Sequence, residues 1–254
     1  MPPICIHLNI AREAAGRLHY PIIDQNPGSY LVGSTFPDVH IIAGDYWREQ
    51  THFFDLAQQE SDSGVIDIFR KHPSLLRTRK FDPSTRSFMA GYLSHLVTDE
   101  GWILDVYRPC FGPSSPLGRN PLANFLDRLL QFDMDCRERR DRAKMGAIRT
   151  LVCEWEPKVK LALLDMEILK KWHEVVCTAT TREPSLELFP QFARRFLFPR
   201  HKIDPEQLEQ LLSALPEKVE WTIQYVTPRR LASFREKAIS RSVEVAKEYL
   251  SEDN

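Results

Sequence analysis

The stretch GYLSHLVTDEGW, residues 91–102, places an imidazole at His95 and a carboxylate at Asp99, four residues apart in an apolar run. On a helix, positions i and i+4 share one face, so this pair can grip a single ion. Neutral imidazole and carboxylate oxygen are ordinary Zn2+ donors, and they suit Fe2+, Mn2+ or Co2+ equally. The same spacing also describes a buried histidine held by an aspartate for structural reasons alone. Three further donors lie upstream. His7 opens the first helix, His52 stands in THFFD, and Asp38 stands in GSTFPD, where Pro37 fixes the backbone's approach to the carboxylate. Asp55, three residues past His52, reads equally as a partner for a ligating imidazole and as a helix-surface charge.

Donors so far apart in sequence need a framework that converges them. Residues 7–18 have helical spacing, and Pro21 and Asn26–Ser29 break it. A short helix fits 29–34, irregular chain fits 35–48 around Pro37, and helices fit about 50–60 and 62–72. A loop follows through Pro73 to Pro83. Residues 84–107 have helical spacing at Phe88, Leu93, Leu96, Ile103 and Val106, with Ser84 or Thr85 as N-cap. Gly91 and Gly101 weaken that helix. Residues 109–121 are loop. Helical character then runs over 122–180, broken near Pro157, and over 186–197, 204–214, 216–226 and 229–250. No period-two alternation is long enough for a sheet. The expectation is an all-α protein of about nine helices, residues 1–254 forming one domain, with its donors inside the bundle.

Composition narrows the class of function. The chain has 254 residues, 43% hydrophobic and 27% charged, which is ordinary for a globular protein. A net charge of -1 excludes the overall basic character of a binder of long nucleic acid. RKHPSLLRTRK, residues 70–80, is a basic loop that could meet phosphate but reads first as solvated chain. CRERRDRAK, 136–144, reads as a helix surface of mixed sign. Five cysteines at 5, 110, 136, 153 and 177 have no CxxC spacing and do not form a disulfide framework. No signal peptide and no apolar run of membrane-spanning length is visible, so the expectation is a cytoplasmic protein without stable membrane insertion. There is no Ser-His-Asp arrangement and no phosphate-cradling glycine loop.

In their order, GSTFPDV, THFFD and GYLSHLVTDEGW, preceded by a histidine in helix one, resemble the zinc-dependent phospholipase C family over roughly residues 5–108. That family is similar in fold and chemistry to the S1/P1-type nucleases. The resemblance implies an all-helical protein with a metal cluster in a cleft, hydrolysing phosphodiester bonds in phospholipid head groups. It also implies that Asp38, His52, His95 and Asp99 form one metal position. Asp99 would bridge to a second ion held partly by His7, and Asp38 would stand nearest to a general-base role.

Three departures qualify the resemblance. The secreted bacterial enzymes ligate metal through a processed N-terminal tryptophan, whereas here MPPICI precedes His7. Trp102 and Asp105 stand where a further histidine is expected. A later His-x-x-x-Glu pair is missing, because His173 is followed by Glu174 and then Cys177 and reads as a partly buried structural histidine. One or two zinc ions are therefore expected rather than three, with iron or manganese as the other candidates. Asp45, Glu100 and Asp105 are spare carboxylates. The expected substrate is a small phosphoester, such as a phospholipid head group. The alternatives are an iron or manganese enzyme of other chemistry, or an inactive scaffold. In the latter, residues 109–254, including the amphipathic stretch from Glu154, bind a protein partner.

Overall fold

The computed structural model describes residues 2–43, 48–53, 64–118, 120–161, 164–197 and 204–251. Every regular element among them is helical, so the protein is all-α. The first half contains α1 (Ile4–Leu18), α2 (Pro21–Gln25), α3 (Pro27–Gly33), a 3-10 turn (Phe36–Ile41), α4 (Arg48–His52), α5 (Gly64–Lys71), α6 (Pro83–Trp102) and α7 (Arg108–Cys110). The second half contains α8 (Pro121–Arg140), α9 (Arg142–Cys153), α10 (Met166–Thr181), α11 (Phe189–Phe192), α12 (Pro205–Ser213), α13 (Leu215–Val226) and α14 (Pro228–Ser251).

These are fourteen helices among the described residues, against the nine expected. The difference lies largely in the prolines. Pro21 and Pro27 were expected to interrupt helical chain, yet each occupies the first turn of a helix, where its missing N–H has no partner to lose. Pro83 opens α6 in the same way, so the N-cap is Asp82 rather than Ser84 or Thr85. Its carboxylate accepts from the Thr85 backbone N–H at 3.0 Å and from the Thr85 hydroxyl at 2.8 Å. The helix expected at 50–60 is described only as far as His52 within α4, and its remainder lies outside the described residues.

Helix α6 is the centre of the molecule. Every residue from Ser87 to Asp99 is buried, so the helix has no solvent face and its polar side chains must find partners inside the protein. Helix α3 packs on one side of it and α14 on another, where the Ser94 hydroxyl donates to Ser242 Oγ at 2.9 Å. Past Trp102 the helix widens into a π-type turn, Ile103–Tyr107.

Helix α1 separates two apolar clusters. Cys5, Leu8 and Ala11 face the cluster built on α3, α6, α9 and α10. Ile6, Ile10 and Ala14 face the one built on α8 and α12 to α14. The mixed-sign stretch 136–144 was expected on a surface, but it is partly interior. Cys136 is buried, and Arg139 pairs with the buried Asp135 at 2.5 Å. All five cysteines are free, as their spacing implies. No helix among the described residues is long and apolar enough to cross a membrane.

The packing of α3 against α6 is set by two glycines. A Cβ at Gly91 would stand 2.0 Å from the Tyr30 carbonyl oxygen, and one at Gly33 would stand 2.1 Å from that of Phe88. The obstacle in each case is backbone, which cannot swing aside. Gly91→Ala is therefore expected to destabilise by about 3 kcal/mol or more, in the range of severe overpacking. Gly16→Ala, on the exposed side of α1 with nothing within 4 Å of the new methyl, is expected to be neutral or to stabilise by about 0.5–1 kcal/mol. Denaturant titration of the two variants measures both effects.

Candidate metal centre

The five donors singled out in the sequence come together. His7 projects from α1, Asp38 from the 3-10 turn after α3, His52 from the end of α4, and His95 and Asp99 from α6. All five are buried. His52 Nε2 lies 3.4 Å from Asp38 Oδ1, 3.3 Å from Asp99 Oδ2 and 3.3 Å from His95 Nε2. His95 Nε2 lies 3.3 Å from Asp99 Oδ2, and His7 Nε2 lies 3.4 Å from Asp99 Oδ1.

Local structure aims each ring. The Ser34 carbonyl can only accept, so at 2.8 Å it fixes the proton of His95 on Nδ1 and leaves the Nε2 lone pair facing the cluster. His52 Nδ1 is held the same way, 2.9 Å from Thr51 Oγ1 and 3.3 Å from the Arg48 carbonyl. The turn carrying His52 is tied to α6 by the Tyr92 hydroxyl, which donates to the Thr51 carbonyl. Phe53, with φ of 54°, turns the chain out of α4 immediately after His52, a left-handed geometry that costs a non-glycine residue about 1–2 kcal/mol. The 3-10 turn carrying Asp38 is anchored through Thr35, whose hydroxyl oxygen accepts from Trp172 Nε1 at 3.1 Å.

The electrostatics follow from packing two carboxylates among imidazoles. Burial alone would raise both carboxyls. The neighbouring imidazoles outweigh it, those of His52 and His95 at Asp38 and those of His95, His52 and His7 at Asp99, so both are held well below the usual carboxylate range. Burial would lower His52, but the Asp38 and Asp99 carboxylates, 3.4 and 3.3 Å from its Nε2, raise it above the ordinary histidine value. His7 is lowered, first by burial and then by the His95 ring stacked on it at 3.9 Å.

The arrangement fits a divalent cation. Donors about 2.0–2.1 Å from a tetrahedral zinc stand about 3.3–3.4 Å from one another, which matches the separations observed here. Direct hydrogen bonds do not account for the site. Both nitrogens of His7 and both carboxylate oxygens of Asp99 are buried without a hydrogen-bond partner among the described residues. Unsatisfied interior groups of this kind are costly unless something else supplies the partner. His7, His95 and Asp99 could hold one ion, and Asp38, His40 and His52 form a second candidate set.

Two residues at the site were missed in the sequence. His40, two positions past Asp38, carried a visible signal in FPDVH. Arg48, whose Nη2 lies 3.9 Å from Asp99 Oδ2, carried none, because only the fold brings α4 to α6. Of the spare carboxylates, Asp105 is turned away and pairs with Lys237 at 3.1 Å. Glu100 belongs to neither candidate set, and Asp45 and Asp55 lie outside the described residues. Trp102 is buried in place of the further histidine and donates from Nε1 to Asp127 Oδ1 at 3.0 Å. His173 is structural, as expected, with Nε2 donating to the Val152 carbonyl at 2.8 Å.

The fold and site thus define an all-helical protein with a buried histidine–aspartate cluster fit for a divalent metal. Residues 6–100, under half of the chain but including all five donors, match the family model described as zinc dependent phospholipase C. No curated protein and no solved structure matches the chain. The family match and the donor cluster together support, at the level of the family, a metal-dependent hydrolase of phosphoesters.

Ligating imidazoles must be neutral, and the Asp38 and Asp99 carboxylates raise His52, so metal competes with a proton there. Zn2+ affinity is therefore expected to fall as pH drops through and below the raised His52 value, with proton release on binding in that range. Calorimetry in buffers of different ionisation enthalpy measures both. His95→Ala is expected to lose metal under dialysis that leaves it in His173→Ala, as read by elemental analysis.

Proposed function

We propose that this protein is a zinc-dependent phosphodiesterase acting on a small substrate of the phospholipid head-group class, with His7, Asp38, His52, His95 and Asp99 as metal ligands. The observation that carries the reading is the convergence of these five side chains from four elements at the separations that zinc ligands require. One or two bound zinc ions would polarise a phosphoryl oxygen and bring the pKa of water toward neutrality.

The chain's own groups supply the rest. Asp38 is the most exposed of the five, at 7%, and its carboxylate is held ionised, so it can accept a hydrogen bond from an attacking water and orient it toward phosphorus. Arg48 stands at the edge of the cluster with its side chain 20% exposed, where its guanidinium can meet the non-bridging phosphoryl oxygens as their charge grows. The Ser34 and Arg48 carbonyls and the Thr51 hydroxyl keep His95 and His52 in the tautomers that present Nε2 to the site. A lipid-like substrate is favoured by Ile41 and Ile42, 68% and 41% exposed, which follow His40 directly and give the rim an apolar edge.

The test is a substrate panel. The zinc-loaded protein is expected to hydrolyse a short-chain phosphatidylcholine or another choline or ethanolamine phosphodiester faster than a phosphomonoester. Chelation should abolish turnover and Zn2+ should restore it. Arg48→Gln is expected to lower kcat by about 10–1,000-fold, as the loss of a charge-stabilising donor does. Iron in place of zinc in protein purified without added metal, with no turnover on any phosphodiester, would overturn the reading.

A further inference from the structure

His40 lies outside the five donors that the sequence motifs point to, yet it stands among them. It lies in the same 3-10 turn as Asp38, and a nitrogen of its ring falls within 4.8 Å of donor atoms of both Asp38 and His52. Its ring meets that of His52 edge to face, with centroids 5.2 Å apart. Its Nδ1 lies 3.1 Å from the Pro37 carbonyl oxygen. A carbonyl only accepts, so the proton sits on Nδ1 and Nε2 keeps a free lone pair. A backbone carbonyl fixing one nitrogen while the other stays open is the arrangement that orients metal-ligating histidines, and His95 shows it in the same cluster.

The cluster can be divided between ions in two ways. In the first, Asp38, His52, His95 and Asp99 surround one ion, and a second ion has only His7 and Asp99 Oδ1 from the described residues. In the second, His7, His95 and Asp99 form an inner set. His7 and His95 are stacked at 3.9 Å with a 10° tilt, and each lies within 3.4 Å of an oxygen of Asp99. Asp38, His40 and His52 then form an outer set, and Asp99 Oδ2, 3.3 Å from both His52 and His95, lies between the two. Only the second division gives each position three protein donors, which is the number a zinc site keeps when it leaves one position open to water or substrate.

We propose that His40 is a metal ligand, completing with Asp38 and His52 a second, solvent-facing zinc position beside the inner one formed by His7, His95 and Asp99. This rests on the metal-centre reading above and fixes its nuclearity at two. It also makes the turn Phe36–Ile41 supply two donors, one of them partly exposed, so the outer ion would be the more accessible of the two.

The test is metal stoichiometry and affinity, read without any substrate. Full-length wild type, His40→Ala and His40→Gln are stripped, titrated with Zn2+ against a chromophoric chelator, and analysed for bound metal. The wild type is expected to bind two ions. Each variant is expected to keep one and to lose the second, or to bind it at least tenfold more weakly. In Co2+-loaded protein the same substitutions should alter the visible ligand-field bands. His40 is partly exposed, and matching thermal melts of the metal-free variants and wild type serve as the folding control. Two ions bound by His40→Ala with affinities within threefold of wild type would overturn the proposal, as would one ion per wild-type chain unaffected by the substitution. A wild type that binds no metal would overturn the metal-centre reading itself, a separate outcome.

Discussion

The close approach of α3 to α6 at Gly33 and Gly91 is the constraint on which the rest of the site depends. The two backbones meet where any side chain would collide with a carbonyl oxygen, and the Ser34 backbone nitrogen lies 2.9 Å from where a Gly91 methyl would be. One turn further along α6, His95 reaches the Ser34 carbonyl at 2.8 Å. The same contact therefore sets the tautomer of His95 and the starting point of the turn that carries Asp38. A lateral shift of α3 by the radius of a methyl group would break the hydrogen bond to His95 and displace Asp38 from His52 at once. Metal-ligand distances tolerate only a few tenths of an ångström, so a donor set drawn from different elements needs backbone contacts this inflexible.

The half of the chain outside the family match does part of this positioning. Helix α1 has Pro3 at its N-cap and no capping side chain of its own. Asp135 of α8 fills that role, with Oδ1 accepting from the Cys5 backbone N–H at 3.3 Å, two residues before His7. Asp135 is in turn paired with Arg139, which reaches the Ala179 carbonyl at the end of α10. Trp172 of α10 holds Thr35 at the start of the Asp38 turn, and Ser242 of α14 meets Ser94 beside His95. His7, Asp38 and His95 are thus each steadied by a residue between 109 and 254. The amphipathic stretch from Glu154 reads equally as a surface for a partner and as packing inside the domain. Among the described residues it is helical from Met166, and there Leu169, Trp172 and Val176 are buried in the core.

How much of this was legible in the sequence follows from which contacts are local. His95 and Asp99 share a helix face, so their spacing carries the geometry. Asp38 and His52 were legible because short motifs in a fixed order imply a shared framework. Helical content was legible from periodicity, but boundaries were not, since a proline reads the same whether it ends one helix or begins the next. Gly91 looked like a weakness in α6, and it is one in propensity terms. Its reason is a contact 61 residues away in sequence, with Tyr30, which no local pattern contains. Arg48 and Ser34 were invisible for the same reason. His40 stood in plain view in FPDVH, but its closeness to Asp38 and His52 depends on the 3-10 turn, where the sequence predicts only irregular chain.

The donor cluster also bears on stability. Two ionised carboxylates and three imidazoles in a buried space are costly to desolvate, and their mutual hydrogen bonds leave His7 and both oxygens of Asp99 unsatisfied. Arg48 offsets part of the negative charge, but at 3.9 Å and with its side chain partly exposed it is a weak counter-ion. Protonating His52 offsets more, which is why that ring is raised, yet a second proton on His7 would face His95 across the stack. A divalent cation satisfies the lone pairs and the charge together, in a space where protons can satisfy only some of them. An ion bound there would therefore be thermodynamically linked to the packed core. Metal that binds the folded chain alone deepens its stability by RT ln(1 + [M]/Kd). The backbone contacts that hold the donors in place in turn set the affinity for the metal.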